Sequence, residues 1–421
     1  MDDDALFAPP VPTADQIEQA AAKGWPDGLL ARMHAVRYPS WKVEQALGSD
    51  GWPTIEMFVA ELEGRERLST GLQDRLATWE DDERLADLYA HSSERLGDWD
   101  VIVERGPNPF AQQRLQETWS VKLITDRGVA LAASAQSGRS SVVAGQHVSV
   151  QWMGGWRVRN GHRRHGYAAM LMNTPGSAHN VFGLVSYWYV RLENQTAAAW
   201  IDHQVTDTQS ASGRAMAKLT ASVHHFDASG GGAPHERVRA IRPADVDRCV
   251  ELINSTHHGL DLFRPYSPAV LRARLDDLFW GPKPHFVPSV YGWPDMAVLE
   301  DDGEVVACAG LWDRGRDVRE RWRHRTTNDE RVVDSTCLMD IGHAPGRADA
   351  LAALIDHHLA TTSVLGRTTL CAALEFLPDV VARCHHQPTV ETRSLETMVY
   401  RESGLDPQLP ITRPYTDLAY W

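Results

Sequence analysis

Residues 158–168 read Val-Arg-Asn-Gly-His-Arg-Arg-His-Gly-Tyr-Ala, and no other run constrains this chain as tightly. The stretch from His147 to Val158 before it has the composition of a strand, and Ala168-Ala169-Met170-Leu171-Met172 after it reads as a helix start. A strand that turns through glycine into a helix presents unsatisfied backbone N–H groups to an anion, with the helix dipole behind them. Gly166 lets a pyrophosphate approach the backbone closely, and Ala168 is nearly as small. Arg163 and Arg164 bring charge to the same loop as His165 and Tyr167, and a guanidinium grips phosphate by two parallel hydrogen bonds. The run points to a phosphate-bearing cofactor. A solvated basic turn after an edge strand is the plainer alternative for this run taken alone.

A second stretch follows at a suitable distance. Gly183 to Val190, GLVSYWYV, is rich in β-branched and aromatic residues and predicts a buried strand. Arg191-Leu192-Glu193-Asn194-Gln195-Thr196-Ala197 leads out of it toward a second helix.

Together these runs resemble two ordered motifs of the GNAT (Gcn5-related N-acetyltransferase) superfamily. Arg163, Gly166 and Ala168 fill its Arg/Gln-x-x-Gly-x-Gly/Ala acyl-CoA loop, with Val158 five residues ahead and Asn160 where a proline is common. Asn194 and Ala197 match the second motif, whose asparagine and following helix flank the pantetheine arm in that family. The resemblance implies an α/β (α+β) fold with a mixed, mostly antiparallel twisted sheet flanked by helices. It also implies acetyl-CoA or another acyl-CoA as co-substrate, and an amine as acceptor.

The chain repeats this plan. A flexible linker, Asp227-Ala228-Ser229-Gly230-Gly231-Gly232-Ala233-Pro234, divides it. Beyond it Val238 to Arg242 reads as a strand, Pro243 opens a helix, and Val246, Cys249, Val250 and Ile253 share one helical face. Residues 296–310 then form a hairpin around Asp301-Asp302-Gly303, matching residues 120–132 around Asp126-Arg127-Gly128. Two tandem GNAT-like domains are therefore expected, at 71–228 and 235–421, behind an N-terminal helical extension over 1–70 that opens with a Thr13-x-x-Gln16 capping box. A first core helix is expected from Asp82 to Leu96. The second half lacks the loop signature. Its equivalent segment holds Pro345 and Gly346, and Pro345 removes a backbone donor, so this half is expected to shape the pocket without binding acyl-CoA.

Direct transfer from a thioester needs a neutral amine, a held oxyanion and a protonated leaving thiol. By the resemblance, backbone N–H groups at Trp156 and Val158 support the thioester carbonyl. The family's tyrosine acid falls on Ile201 and its glutamate base on Trp152, so neither familiar side chain is present. His203, two residues past the missing tyrosine, and the terminal carboxylate of Trp421 are the substitutes the sequence offers, against plainer readings as a surface histidine and a packed aromatic end.

Composition bounds the rest. The formal charge of −14 argues against a nucleic-acid partner, and no apolar run is long enough to cross a bilayer. The acidic start and five cysteines without Cys-x-x-Cys spacing suggest a cytoplasmic protein with reduced thiols. The paired histidines lack the spacing of a metal site. Arginine outnumbers lysine 37 to 5, a bias of GC-rich bacterial genomes. The sequence predicts an acyl-CoA-dependent N-acyltransferase acting on a small-molecule amine, with self-association left open. An aminoacyl-tRNA-dependent transferase and a non-catalytic acyl-CoA-binding protein are its two rivals.

Overall fold

The structure, a computed structural model, describes residues 12–35, 43, 47, 72–106, 109–116, 118–163, 165–172, 185–194, 215–231, 234–277, 290–399, 411, 413–416 and 418. Helices α1 (Ala14–Ala22) and α2 (Leu29–Ala35) bury Leu29 and Met33 in a small cluster of their own. The expected capping box is formed: Gln16 N donates to Thr13 Oγ1 (3.2 Å) and Thr13 N to Gln16 Oε1 (3.0 Å).

The N-terminal half then runs β1 (Leu72–Leu76), α3 (Asp82–Ala90), β2 (Ser93–Leu96), β3 (Trp99–Arg105), β4 (Thr118–Asp126), β5 (Val129–Val143), β6 (Gln146–Val158), α4 (Tyr167–Met172), β7 (Val185–Arg191) and β8 (Ala215–Asp227). The C-terminal half runs β9 (Val238–Ala240), α5 (Val246–Thr256), α6 (Pro268–Leu275), β10 (Met296–Asp301), β11 (Glu304–Trp312), β12 (Val318–His324), β13 (Glu330–Val333), β14 (Ser335–His343), α7 (Ala348–Val364), β15 (Thr369–Ala372) and β16 (Thr389–Val399).

Both expected hairpins close on two-residue turns with positive φ at both positions, at Arg127-Gly128 (46° and 84°) and Asp302-Gly303 (49° and 80°). Such turns match the twist of the flanking strands. The expected helix from Asp82 to Leu96 is corrected: it stops at Ala90. Ser92 Oγ bonds the Leu88 carbonyl (2.6 Å), and Gly97, at φ +56°, turns the chain so that Ser93–Leu96 pairs with β3.

Among the described residues, twelve strands make one sheet in the order β1-β4-β5-β6-β7-β16-β8-β15-β14-β11-β10-β9. The order is palindromic about its centre. Each half contributes five strands counted inward from an edge and lends its last strand to the other, so β16 lies beside β7 and β8 beside β15. All pairings are antiparallel except β6 with β7 and β14 with β15, which are parallel and occupy equivalent places. A second, four-stranded sheet, β13-β12-β3-β2, joins the halves again through β12 and β3.

Helices cover both faces. On one face α3 and α5 pack over a core continuous between the halves, from Leu85 and Tyr187 to Trp312, Cys371 and Leu395. Val246, Cys249, Val250 and Ile253 are all buried, as their spacing requires. On the other face α7 sets Leu351, Leu354, Ile355 and Leu359 against Phe226 of β8, so strand exchange builds one half's core with the other half's residue. Burying a side chain of this size is worth about 1.5–3 kcal/mol, which ties the halves together energetically.

Candidate functional site

Among the described residues, strands β6 and β7 pair at Val150–Val185, Gln151–Ser186 and Trp152–Tyr187. Past that point β6 stays with β5 while β7 follows β16, and the sheet parts into a V. On the same strand, just inside the V, lies a bulge. Gly154 faces Ala135 and Arg157 faces Ala133, which leaves Gly155 and Trp156 together opposite Ser134. A bulge re-aims backbone groups away from the ladder. Gly155 sits at φ +61°, where any other residue would cost about 1–2 kcal/mol. Tyr89, from α3, donates its hydroxyl to the Gly155 carbonyl (3.2 Å), and the Arg105 guanidinium lies 4.5 Å from the centre of its ring. Trp156 and Val158, expected to serve through their backbones, are thus at and just past the bulge.

The loop after Val158 is pinned to its surroundings. Arg159 N bonds the Leu131 carbonyl (2.8 Å) and Asn160 N the His91 carbonyl (2.9 Å). The Arg159 guanidinium is paired with Asp87, and that of Arg163 donates to the Ser93 carbonyl. The rings of His162, His165 and Tyr167 follow one another edge to face at about 6 Å. Gly166 has φ +76°, and its carbonyl accepts from Met170 N (3.0 Å) to open α4. Tyr167 is buried and Ala168 half-buried. Beneath the far end of α4, Lys122 is buried, donates to the Met170 carbonyl (2.7 Å) and pairs with Asp74 (3.3 Å). A cation there neutralises the negative end of the helix.

Asn194 closes the turn after β7, its N–H on the Arg191 carbonyl (2.9 Å). Tyr187 is fully buried in the core, and Tyr189 bonds the Tyr415 carbonyl (3.4 Å), so the chain's last segment passes close to the V. Arg164, Ile201, His203 and Trp421 lie outside the described residues.

The C-terminal half repeats the geometry and fills it. Strands β14 and β15 pair only at Ser335–Thr369, Thr336–Leu370 and Cys337–Cys371. The bulge returns, with Asp340 and Ile341 opposite Ala309, but its positive-φ position is Asp340 (51°) instead of glycine. The buried Asp340 carboxylate accepts from Tyr266 Oη (2.6 Å), Tyr291 Oη (3.0 Å) and Arg274 (3.0 Å). Burial, and then the Asp340 charge, push the Tyr291 hydroxyl well above its ordinary pKa. A Cβ on Gly310 would fall 1.7 Å from Tyr291 Oη, so that glycine exists to admit the ring. At the loop, Gly346 keeps a positive φ (76°), yet Arg347 is paired with Asp301 (2.9 Å) and Asp349 (3.3 Å). Asp349 puts a carboxylate in the first turn of α7, where a phosphate would have to sit.

The loop after α5 reaches across to the N-terminal half. Leu262 N bonds the Val142 carbonyl (2.7 Å), Val142 N the Phe263 carbonyl (2.9 Å), and Ala144 N the Asp261 carboxylate (2.7 Å). His257 is buried against Phe263, and burial pushes its pKa down to about 4.

The bulge, the Asp340 cluster and the placement of Tyr89 were not foreseen from sequence. One signal existed: Gly154-Gly155 inside a strand marks a bulge or a close approach. Among the described residues no group of three or more His, Cys, Asp or Glu is placed to hold a metal, and no helix is long and apolar enough to cross a membrane.

No protein-family model matches this sequence, and no curated protein matches it. Solved structures do. Saccharomyces cerevisiae N-myristoyltransferase with bound myristoyl-CoA is similar with a TM-score of 0.51 at 12% identity, over 83% of this chain and 84% of that one. A GCN5-related N-acetyltransferase from Sphaerobacter thermophilus gives 0.44 at 14% identity over 84% and 100%, and one from Kribbella flavida 0.42 at 12% over 77% and 71%. At such identities the likeness is one of fold, and the chain has the GNAT fold, with the large twisted sheet flanked by helices that its sequence predicts.

Proposed function

We propose that this chain is an acyl-CoA-dependent N-acyltransferase, with acetyl-CoA as the expected donor and the amine of a small molecule as acceptor. One observation carries the reading: a single strand, β6, holds the parting from β7 and then the Gly155–Trp156 bulge, and leads directly into the pinned Gly166 loop. The N-myristoyltransferase of the same fold holds myristoyl-CoA, which supports an acyl-CoA tenant here.

In this reading the loop from Arg163 to Ala168 takes the pyrophosphate on its backbone N–H groups, with Arg163, Arg164 and His165 adding charge and donors. Asn194 flanks the pantetheine arm as it runs down the V. The backbone N–H of Trp156 or Val158 supports the thioester carbonyl as the neutral amine attacks, which stabilises the charge that develops on oxygen. Tyr89 keeps the bulge in register through Gly155. The proton leaves through His203 or the terminal carboxylate of Trp421. The C-terminal half, its bulge filled by Asp340 and its loop by Asp349, serves as the wall of the acceptor site. Five free cysteines fit a reducing cytoplasm.

A thiol-release assay with acetyl-CoA over a panel of small amines tests this. Amine-dependent release that falls about a hundredfold or more in His203→Ala or on removal of Trp421 identifies the base. If acetyl-CoA binds but no amine provokes release, the chain is a binding protein and the transferase reading fails.

A further inference from the structure

The apex of the second V, which the proposed transfer does not use, holds a row of reactive groups. Cys371 on β15 is the direct register partner of His225 on β8, and Cys337 on β14 is its partner on the other side. Cys371 Sγ lies 3.6 Å from His225 Nδ1. The opposite ring nitrogen, His225 Nε2, lies 3.1 Å from Glu391 Oε2 on β16. Thiol, imidazole and carboxylate thus follow one another across three neighbouring strands, in the order of a nucleophile, its base and an anion close enough to pair with that base. The thiol is nearly covered and His225 Nε2 is buried, while the Glu391 side chain keeps 34% of its exposure, so the carboxylate end of the row opens to solvent. Ala373, two residues beyond Cys371, lines a small cavity with Thr256, His257, Phe376 and Tyr415.

We propose that Cys371, His225 and Glu391 form a nucleophilic thiol site that takes a small acyl group from a thioester as a covalent S-acyl enzyme. His225 Nδ1 accepts the thiol proton, and the sulfur of Cys371 adds to the thioester carbonyl. A new carbon–sulfur bond to Cys371 forms as the bond to the departing thiol breaks, and the imidazolium returns its proton to that thiolate. No other reactant is required. The surroundings favour the charged pair. Hydrogen bonding from Cys337, opposed by burial and aided by His225, holds the Cys371 thiol well below its ordinary pKa. Burial works against the His225 cation, but Cys371 and Glu391 outweigh it and push the ring up to about 10. Arg314, Arg191 and Arg393, with Glu320 and Glu391, complete the charges around the row.

The test incubates the full-length chain with S-acetyl-N-acetylcysteamine, a thioester that lacks the nucleotide phosphates, and follows acetyl transfer by intact mass and peptide mapping. Because the probe has nothing for the Gly166 loop to grip, its outcome is separate from that of the acyl-CoA reading. All five cysteines are buried, so Cys249, Cys308, Cys337 and Cys384 serve as internal controls. The proposal expects label on Cys371, formed at a rate nearly level from about pH 9 to about pH 7 because the thiolate persists across that range. In His225→Gln the rate should drop about a hundredfold at neutral pH and recover toward alkaline pH, with Glu391→Gln intermediate. Recovery at high pH separates loss of the base from loss of fold. Absence of label, label spread evenly over the five cysteines, or a His225→Gln rate equal to wild type overturns the proposal.

Discussion

Gly310→Ala is the sharpest structural perturbation the fold offers. The added methyl would lie 1.7 Å from Tyr291 Oη and 2.6 Å from its Cζ, and both residues are in a closed core beside the fully buried Trp312. The ring cannot stay in place. Overpacking of this kind costs about 1–3 kcal/mol, and moving Tyr291 also breaks its 3.0 Å bond to the Asp340 carboxylate, worth about 1.5–3 kcal/mol for a charged acceptor. The sum, about 2.5–6 kcal/mol, is a large part of an ordinary domain's stability. Urea unfolding followed by tryptophan fluorescence should show it as a lowered midpoint. Tyr291→Phe removes the atom in closest conflict, so the double variant should fall short of the summed single effects by about 1 kcal/mol or more. A Gly310→Ala cost below about 1 kcal/mol, or strict additivity, would refute the claim that this glycine admits the ring that plugs the second bulge.

The remaining predictions concern other parts of the molecule. Gly342→Ala sets a methyl 2.6 Å from the backbone of α5 at Ile253 and should cost about 1–3 kcal/mol by the same assay; a neutral result would mean that α5 shifts freely. Tyr89→Phe should cost about 1 kcal/mol in stability and lower kcat for thiol release more than it changes the acetyl-CoA KM; an effect on KM alone would place Tyr89 outside the bulge's function. His257 and His358 are held neutral by burial, with pKa values pushed down to about 4 and about 3 from about 6.5 unfolded. Because the folded values are depressed, their contribution is complete above about pH 6.5 and is lost as pH falls toward those values; from about pH 7.5 to about pH 5 each sheds about 2 kcal/mol. In His358→Gln that fall in stability should shrink by about 2 kcal/mol, and an unchanged fall would contradict the assignment.

What the sequence disclosed was local. Asp302-Gly303 and Arg127-Gly128 carry their turn geometry in two residues, the period of Val246 to Ile253 names its own buried face, and Gly166 marks a positive-φ loop after a strand. What stayed hidden depends on pairing between distant segments. No local pattern could show β16 entering between β7 and β8, nor bring Cys371 to His225 across 146 residues. The Asp340 cluster was hidden for the same reason, since Tyr266, Arg274 and Tyr291 reach it from three separate segments. The helix from Asp82 was overextended because Ser93–Leu96 takes its strand form from β3, its partner, while its own composition suits either state.

Calorimetric titration with acetyl-CoA and desulfo-CoA, comparing wild type with Gly166→Val and Arg163→Glu, tests the central claim most directly. A side chain at Gly166 must both adopt a strained positive φ and stand where the pyrophosphate approaches. The account predicts micromolar binding of both ligands by wild type, weakened at least about tenfold in Arg163→Glu, about 1.4 kcal/mol, and abolished in Gly166→Val. Wild-type affinity retained in Gly166→Val, or no binding of either ligand to the wild-type chain, would contradict it.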